Sequence, residues 1–373
     1  MLGLLSPEER VPNGHPLRRV KQLADEALAE LSGVFDRMDS GRGRPSIPPE
    51  RLLKASLLMA LYSVRSERLL CDPLSYNLLF RWFLDMDMVE DSFDHSVFAK
   101  NRERLMGHEV SRRFFESVVG QAHRAGLMSA EHFTVDGTLI EAWASHKSVV
   151  PKEQSAERRR RERNRRKAAR KRRPPSGPAP SGGGGRSDQD ANFHGSKRRN
   201  DTHEATTDPE AKLYRKGVGK EAKLSYSAHA LRENRNGMLV DLRVAEANGT
   251  AERSVALQML ADHGRKGTTV GADRGYDTQD FIEGCRQLGV TPHVAQHTSR
   301  RRSRSDGRTT RHPGYRVSQQ LRKRVEEIFG WAKSIGGLRR TRFKGKLRTQ
   351  AAAYLVAAAY NLLRMSRLLS CPP

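Results

Sequence analysis

Cysteine is scarce. Only Cys71, Cys285 and Cys371 occur in 373 residues, far apart and with no C-x-x-C spacing. This excludes a disulfide framework and a cysteine-held zinc site and fits a reducing compartment. Long apolar runs are absent as well. No stretch of about 18 apolar residues exists, so no membrane-spanning helix is expected. The opening M-L-G-L-L-S-P-E-E-R is charged too early for a signal peptide. Acidic residues are in deficit: 43 Asp and Glu stand against 68 Lys and Arg, a formal net charge of +25. The surplus is clustered, with thirteen Lys or Arg against three Glu in residues 152–173. Clustering points to a polyanionic partner, because neutralised phosphates release counterions. Charge alone leaves DNA, RNA and an anionic membrane open.

Patterning divides the chain. Apolar residues at helical spacing run through 16–38 (Leu17, Val20, Leu23, Leu28, Leu31, Phe35). After a Gly/Pro break at 41–49, Pro48 and Pro49 open a second helix through Leu61. Pro73 to Leu84 reads as a third, with Tyr76, Leu79, Phe80, Trp82 and Phe83 as core. Ser96 to Leu105 and Glu109 to Ala125 complete an all-α region expected over 1–125. A short strand then ends at Asp136, within a segment 126–149, and a basic, Pro- and Gly-rich insert follows over 150–205. The insert has too few apolar residues to offset ordering entropy and is expected to be a disordered linker, with Ser155 to Arg173 able to form a charged helix on DNA. Over 206–373 come a strand at 222–231, a turn at Asn234-Arg235-Asn236-Gly237, a return strand at 238–244 and a helix at 251–263. A strand at 268–272, a helix at 278–288, a strand at 291–295, a long helix at 318–335 and a last helix at 349–369 close the chain. This order predicts an α/β fold, a mixed sheet with flanking helices, preceded by an all-α N-terminal domain.

Asp136 and Asp273 each follow a β-prone run. Each alone could merely cap a turn. If their strands are neighbours, the two carboxylates lie side by side and repel unless a cation sits between them. Hard oxygen donors of this kind suit Mg²⁺ or Mn²⁺. In the helix at 318–335, Val325, Ile328, Phe329, Ala332 and Ile335 form one apolar face. Arg322, Glu326 and Lys333 fall along one margin of it and Glu327 points to solvent, so Glu326 is the third candidate carboxylate. A plain i,i+4 ion pair of Arg322 with Glu326 is the other reading. Three carboxylates around two divalent ions suit in-line phosphoryl displacement, with Lys333 and Arg322 neutralising phosphate oxygens.

These residues resemble the DDE transposases of bacterial insertion sequences, specifically the insertion-sequence-5 group. The signatures are V-D-G-T at Val135 to Thr138, G-A-D-R-G-Y-D at Gly271 to Asp277, and R-x-x-x-E-x-x-x-x-x-x-K at Arg322, Glu326 and Lys333, followed by G-G-L-R-R-T-R from Gly336 to Arg342. D-H-S-V-F-A-K-N-R-E-R-L, Asp94 to Leu105, resembles the end of that group's helical N-terminal domain. One departure is Gln319, where the group carries Tyr. The resemblance implies a ribonuclease-H-like catalytic domain with Asp136, Asp273 and Glu326 as ligands of two Mg²⁺ ions, for which Mn²⁺ can substitute. It implies cleavage of double-stranded DNA at terminal inverted repeats, strand transfer into a target, and a homodimer within a synaptic complex. A cytoplasmic, nucleoid-associated bacterial protein is expected. Further DNA contacts are expected from Arg339, Arg340, Arg342, Lys344, Lys346 and Arg348, and from Lys197, Arg198 and Arg199. His297 and His312 read as structural or exposed, and His194, with Lys197 to Arg199, as part of a DNA-contacting or ordering segment rather than a metal site. Two other readings fit parts of the pattern: a non-catalytic DNA-binding protein derived from a transposase, and a ribonuclease-H-type nuclease acting on RNA–DNA hybrids.

Overall fold

Proline and glycine set the first boundaries, as the computed structural model shows. It describes residues 7–38, 47–107, 109–171, 199–215, 217, 219, 221–297 and 303–370. Pro16 opens a helix, Pro16–Ala29, whose capping residue His15 accepts the Leu17 N–H at 3.2 Å. The helix expected over 16–38 is two, Pro16–Ala29 and Ser32–Met38. Ser32 and Gly33 are poor helix formers at the break. All six of its expected core residues are nonetheless buried. Pro49–Leu61 follows, then a short helix, Glu67–Cys71, that periodicity does not reveal. The aromatic segment also splits. Asn77 accepts the Phe80 N–H at 3.1 Å and starts Leu78–Phe83 anew after a 3₁₀ turn at Pro73–Ser75. Phe80, Trp82 and Phe83 are core as expected, whereas Tyr76, in the gap, is 73% exposed. Helices His95–Gly107 and Val110–Arg124 complete the helical region.

Among the described residues eight strands follow: β1 (His132–Glu141), β2 (Val149–Pro151), β3 (His203–Ala205), β4 (Lys212–Tyr214), β5 (Lys223–Glu233), β6 (Leu239–Glu246), β7 (Thr269–Ala272) and β8 (Thr291–Val294). The main sheet runs β4-β5-β1-β7-β8, with β6 also paired to β5. β5 is antiparallel to β1, β4 and β6, whereas β1, β7 and β8 are parallel. The β5–β6 connection is the expected Asn-Gly turn. Gly237 has φ +76°, and Glu233 accepts the backbone N–H groups of Arg235, Asn236 and Met238 at 3.1, 2.7 and 3.2 Å.

The insert departs from expectation. β2 and β3 pair antiparallel, with Pro151 opposite His203, and a helix, Lys152–Lys171, grows from that ladder. Its composition of Arg, Lys, Ala and Glu favours helix, and its N-terminal part is anchored by buried Ser155 in the first turn and by an Arg159–Glu204 ion pair farther on. Lys197, Arg198 and His194 lie outside the described residues.

The final helix, Lys346–Ser370, joins the two regions. On one side it covers the outer edge of β6: Asn361 accepts from Leu239 N at 2.9 Å and donates to Leu239 O at 2.8 Å, and Gln350 donates to Leu242 O at 2.7 Å. An exposed edge strand is thereby closed. On the other side it packs on Val110–Arg124, Pro49–Leu61 and Pro16–Ala29, with Tyr354 stacked on Phe115 at 5.7 Å. Helical region and sheet share one continuous hydrophobic core.

Candidate active site

β1 is the central strand, and its two flanks are used unequally. β5 pairs with it from Phe133 to Glu141, while β7 pairs only from His132 to Thr134. Farther on, a bridge between Glu141 and Arg340 takes β7's place, with Glu141 N donating to Arg339 O at 3.1 Å and Thr341 N to Glu141 O at 2.8 Å. Between the two lies a notch holding Asp136, Gly137 and Thr138. The last β1–β7 pair is Thr134 with Gly271, so two residues farther Asp136 and Asp273 stand level with each other. Asp136 therefore sits mid-strand rather than at the strand end that sequence suggested. Asp273 does follow its strand directly and accepts the Gly275 N–H at 2.7 Å.

Alternation along β1 puts Thr134, Asp136, Thr138 and Ile140 on one face. The helix Val325–Ser334 packs there, burying Val325, Ile328, Phe329 and Ala332. Of the expected apolar face only Ile335, just past its end, is exposed. Lys333 Nζ donates to Thr138 Oγ1 at 2.6 Å, two residues from Asp136 on the same face. Glu326 lies in the first turn, and its charge is felt at Asp136. Glu327 is exposed, and its charge is felt instead by Arg232 and Tyr360.

The Asp136 carboxyl is pushed up to about 7. Burial is the main cause; Asp273, Glu252 and Glu326 add repulsion, against an opposing hydrogen bond from Gly137 N at 2.8 Å. Glu252 is the residue that sequence reasoning missed. It lies in the first turn of the helix Ala251–His263, and only the tertiary fold brings it to β1. Among the described residues, no three His, Cys, Asp or Glu side chains converge closely enough to hold an ion as they stand.

Arg322 comes into place by a different route from the expected helical stripe. The helix expected over 318–335 is Tyr315–Leu321, a 3₁₀ turn Arg322–Arg324, and Val325–Ser334. Arg322 Nε donates to Gln319 Oε1 at 2.8 Å, and Gln319 Nε2 donates to the His293 carbonyl at 2.6 Å. No ion pair joins Arg322 to Glu326 among the described residues. Ser318 Oγ lies 2.7 Å from His132 Nε2 and 2.5 Å from His293 Nδ1, tying this segment to β1 and β8. In the second signature, Asp277 is buried and accepts backbone N–H groups from His297, Arg304 and Ser305 at 2.9, 2.9 and 3.1 Å.

The basic stretch after the helix is only partly available to a ligand. Arg339 and Lys344 are exposed. Arg340 lies over Trp143 and donates to the carbonyls of Ala142 and Trp143 at 3.4 and 3.2 Å. Arg342 turns inward to the Arg65 carbonyl at 3.3 Å and Glu67 at 3.6 Å, and burial lowers its guanidinium to about 10. Arg348 is paired to Glu103, and the Lys346 backbone N–H donates to Glu210 at 2.6 Å. Arg342, partly exposed, thus links the helical region to the segment that follows the helix Val325–Ser334. Of the three basic residues expected at 197–199, only Arg199 is described; it is exposed, and its carbonyl accepts the His203 N–H at 2.8 Å.

Two family models match the chain: "Transposase domain (DUF772)" over residues 5–104 and "Transposase DDE domain" over 192–362. A curated relative, "Transposase for insertion sequence element IS1106" of Neisseria meningitidis serogroup B, is 29% identical over 150 residues, 40% of this chain and 50% of the relative. The chain thus spans about half the length of that relative. Among solved structures, a piggyBac transposase synaptic complex with hairpin DNA aligns with TM-score 0.40 and 10% identity, over 94% of this chain and 75% of that one. A Mos1 transposase paired-end complex aligns with TM-score 0.20 and 11% identity, over 95% and 98%. With a transposase domain at its start, a DDE domain at its end and an insertion-sequence transposase as relative, the chain belongs to the DDE transposases of bacterial insertion sequences.

Proposed function

We propose that this chain cleaves and joins double-stranded DNA at the ends of an insertion sequence, by phosphoryl transfer at Asp136, Asp273 and Glu326. The observation that supports the reading is the β1–β7 register, which, continued two residues past its last pair, brings Asp136 level with Asp273, with the charge of Glu326 in the helix Val325–Ser334 felt at Asp136. The strand order, three antiparallel strands followed by two parallel ones, is read here as ribonuclease-H-like. The donor set is all carboxylate, which fits Mg²⁺, with Mn²⁺ as substitute, better than a softer metal. Glu326, exposed in a first helical turn and near enough for its charge to act on Asp136, is the third member of that set in this reading. Two such ions bound there supply polarisation of the attacking oxygen and stabilisation of the leaving 3′-oxygen.

The other residues bind and orient. Lys333, held at Thr138, sets a positive charge beside the place where the scissile phosphate must lie. Arg322, held by Gln319, offers its remaining donors to a second phosphate. Exposed Arg339, Lys344 and Arg199, with the helix Lys152–Lys171, supply charge for the flanking backbone. Gln319, in place of the group's Tyr, is compatible with activity because it positions Arg322 rather than an ion. Membership of the insertion-sequence-5 group, action at terminal inverted repeats as a homodimer in a synaptic complex, and nucleoid-associated work in the cytoplasm belong to this same reading.

The test is Mg²⁺-dependent strand cleavage on element-end duplexes. Glu326→Gln is expected to lower cleavage by at least about a thousandfold with duplex binding kept, whereas Glu327→Gln stays within a fewfold of wild type. Equal loss in the two variants would overturn the assignment. Duplex binding without cleavage by the wild type would favour a DNA-binding protein derived from a transposase. Preference for an RNA–DNA hybrid would favour a nuclease.

A further inference from the structure

The helix that carries Glu326 packs on one face of the sheet; the opposite face carries a further carboxylate. Gly137, next to Asp136, faces β5 and the helix Ala251–His263. A Cβ at Gly137 would lie 2.9 Å from Glu252 Oε1, 3.1 Å from Glu252 Cγ and 3.1 Å from His229 Nδ1. The absent side chain is thus what lets the Glu252 carboxylate lie against β1, one residue from Asp136.

Two buried polar atoms point to the same place. Tyr276 is 1% exposed, its hydroxyl has no hydrogen-bond partner, and the charges acting on it are the carboxylates Glu252, Asp136 and Asp273 and, opposing them, Arg253. His229 is fully buried. Its Nε2 is held 2.9 Å from Ser227 Oγ, while Nδ1, beside Glu252, has no partner. Buried polar groups of this kind ordinarily find a partner, and around metal sites such groups bind ligand carboxylates or metal-bound water.

We propose that Glu252 is a fourth metal-binding carboxylate, closing the site from the face opposite Glu326, with Tyr276 and His229 as its outer supports. The proposal rests on the reading that Asp136, Asp273 and Glu326 hold divalent ions. It has a consequence that three carboxylates do not share. Three of them leave two divalent ions with an excess positive charge until a phosphate arrives, whereas four balance the pair. Glu252 therefore matters most to metal binding in the absence of DNA.

The experiment is a Mn²⁺ titration of the full chain without DNA, read by electron paramagnetic resonance, with circular dichroism on every variant. Wild type is expected to take up about two ions. Glu252→Gln is expected to lose one of them or to weaken it by at least about tenfold. Gly137→Ala, which keeps the carboxylate but fills its space, should change in the same direction, and Glu252→Asp should fall between. If Glu252→Gln and Gly137→Ala bind like wild type while Asp136→Asn does not, the fourth-ligand assignment is overturned and the three-carboxylate site stands. If Asp136→Asn also binds like wild type, the metal-site reading falls with it.

Discussion

Asp136 must be ionised to bind a cation, yet its surroundings resist ionisation. Burial and three neighbouring carboxylates hold it near 7 instead of its ordinary 3.8. The sign of the consequence follows from proton counting. Between about 4 and 7 the folded chain holds a proton that the unfolded chain has released, so this group's contribution to stability declines as pH rises through that range. Asp136→Asn should therefore melt higher than wild type at pH 8 without metal, and no higher at pH 4. Mg²⁺ should raise the melting temperature of wild type at pH 8 and leave the variant's unchanged. Equal melting of the two proteins at pH 8 without metal would sink the argument. The strands that carry or precede Asp136 and Asp273 and the apolar helical face beside Glu326 were legible in the sequence, because β-prone runs and helical periodicity have local causes. Glu252 was not legible. Its position depends on a glycine more than a hundred residues away in the chain, across a sheet whose pairing sequence alone does not specify.

At the level of elements, periodicity located strands and helices well and their interruptions poorly. The helix expected at 318–335 carries its apolar face as read, but the 3₁₀ turn Arg322–Arg324 separates Arg322 from Glu326. A wheel drawn at a constant angle does not hold across that turn. What positions Arg322 is Gln319, a side chain with no periodic signature. The β5–β6 turn was fully legible, because Asn-Gly has a local cause. Gly237 is constrained twice: φ is +76°, and a Cβ there would come 2.7 Å from Arg232 Nη2. Gly237→Ala is expected to cost about 1–3 kcal/mol in chemical denaturation, with the slope unchanged. A cost near zero would mean that the turn refolds around the methyl group.

For the whole molecule, charge is easy to count and hard to assign. Six basic residues at 339–348 look alike in sequence, but the fold divides them. Lys344 and Arg339 face solvent, whereas Arg342 is drawn inward to Arg65 and Glu67. Lys344→Ala is expected to reduce the salt dependence of duplex binding by about one phosphate contact, at unchanged melting temperature. Arg342→Ala should do the reverse, destabilising the fold by about 1–3 kcal/mol with little change in the salt slope. Swapped outcomes would mean that Arg342 faces DNA. The boundary expected at residue 125 is likewise a boundary of secondary structure only. The last helix, Lys346–Ser370, gives both regions a common core that no local pattern announces.

The β2–β3 ladder has an architectural consequence. Pro151 and His203 are cross-strand partners, so the chain departs from the body of the fold and returns to it at one place. Whatever lies between them is topologically a side branch. A tight two-residue hairpin could replace it, or a foreign domain with neighbouring termini could be spliced in, without displacing β1 or β5. The basic branch is thus an exchangeable accessory, one that can be altered or replaced while β1 and the carboxylates beside it stay untouched.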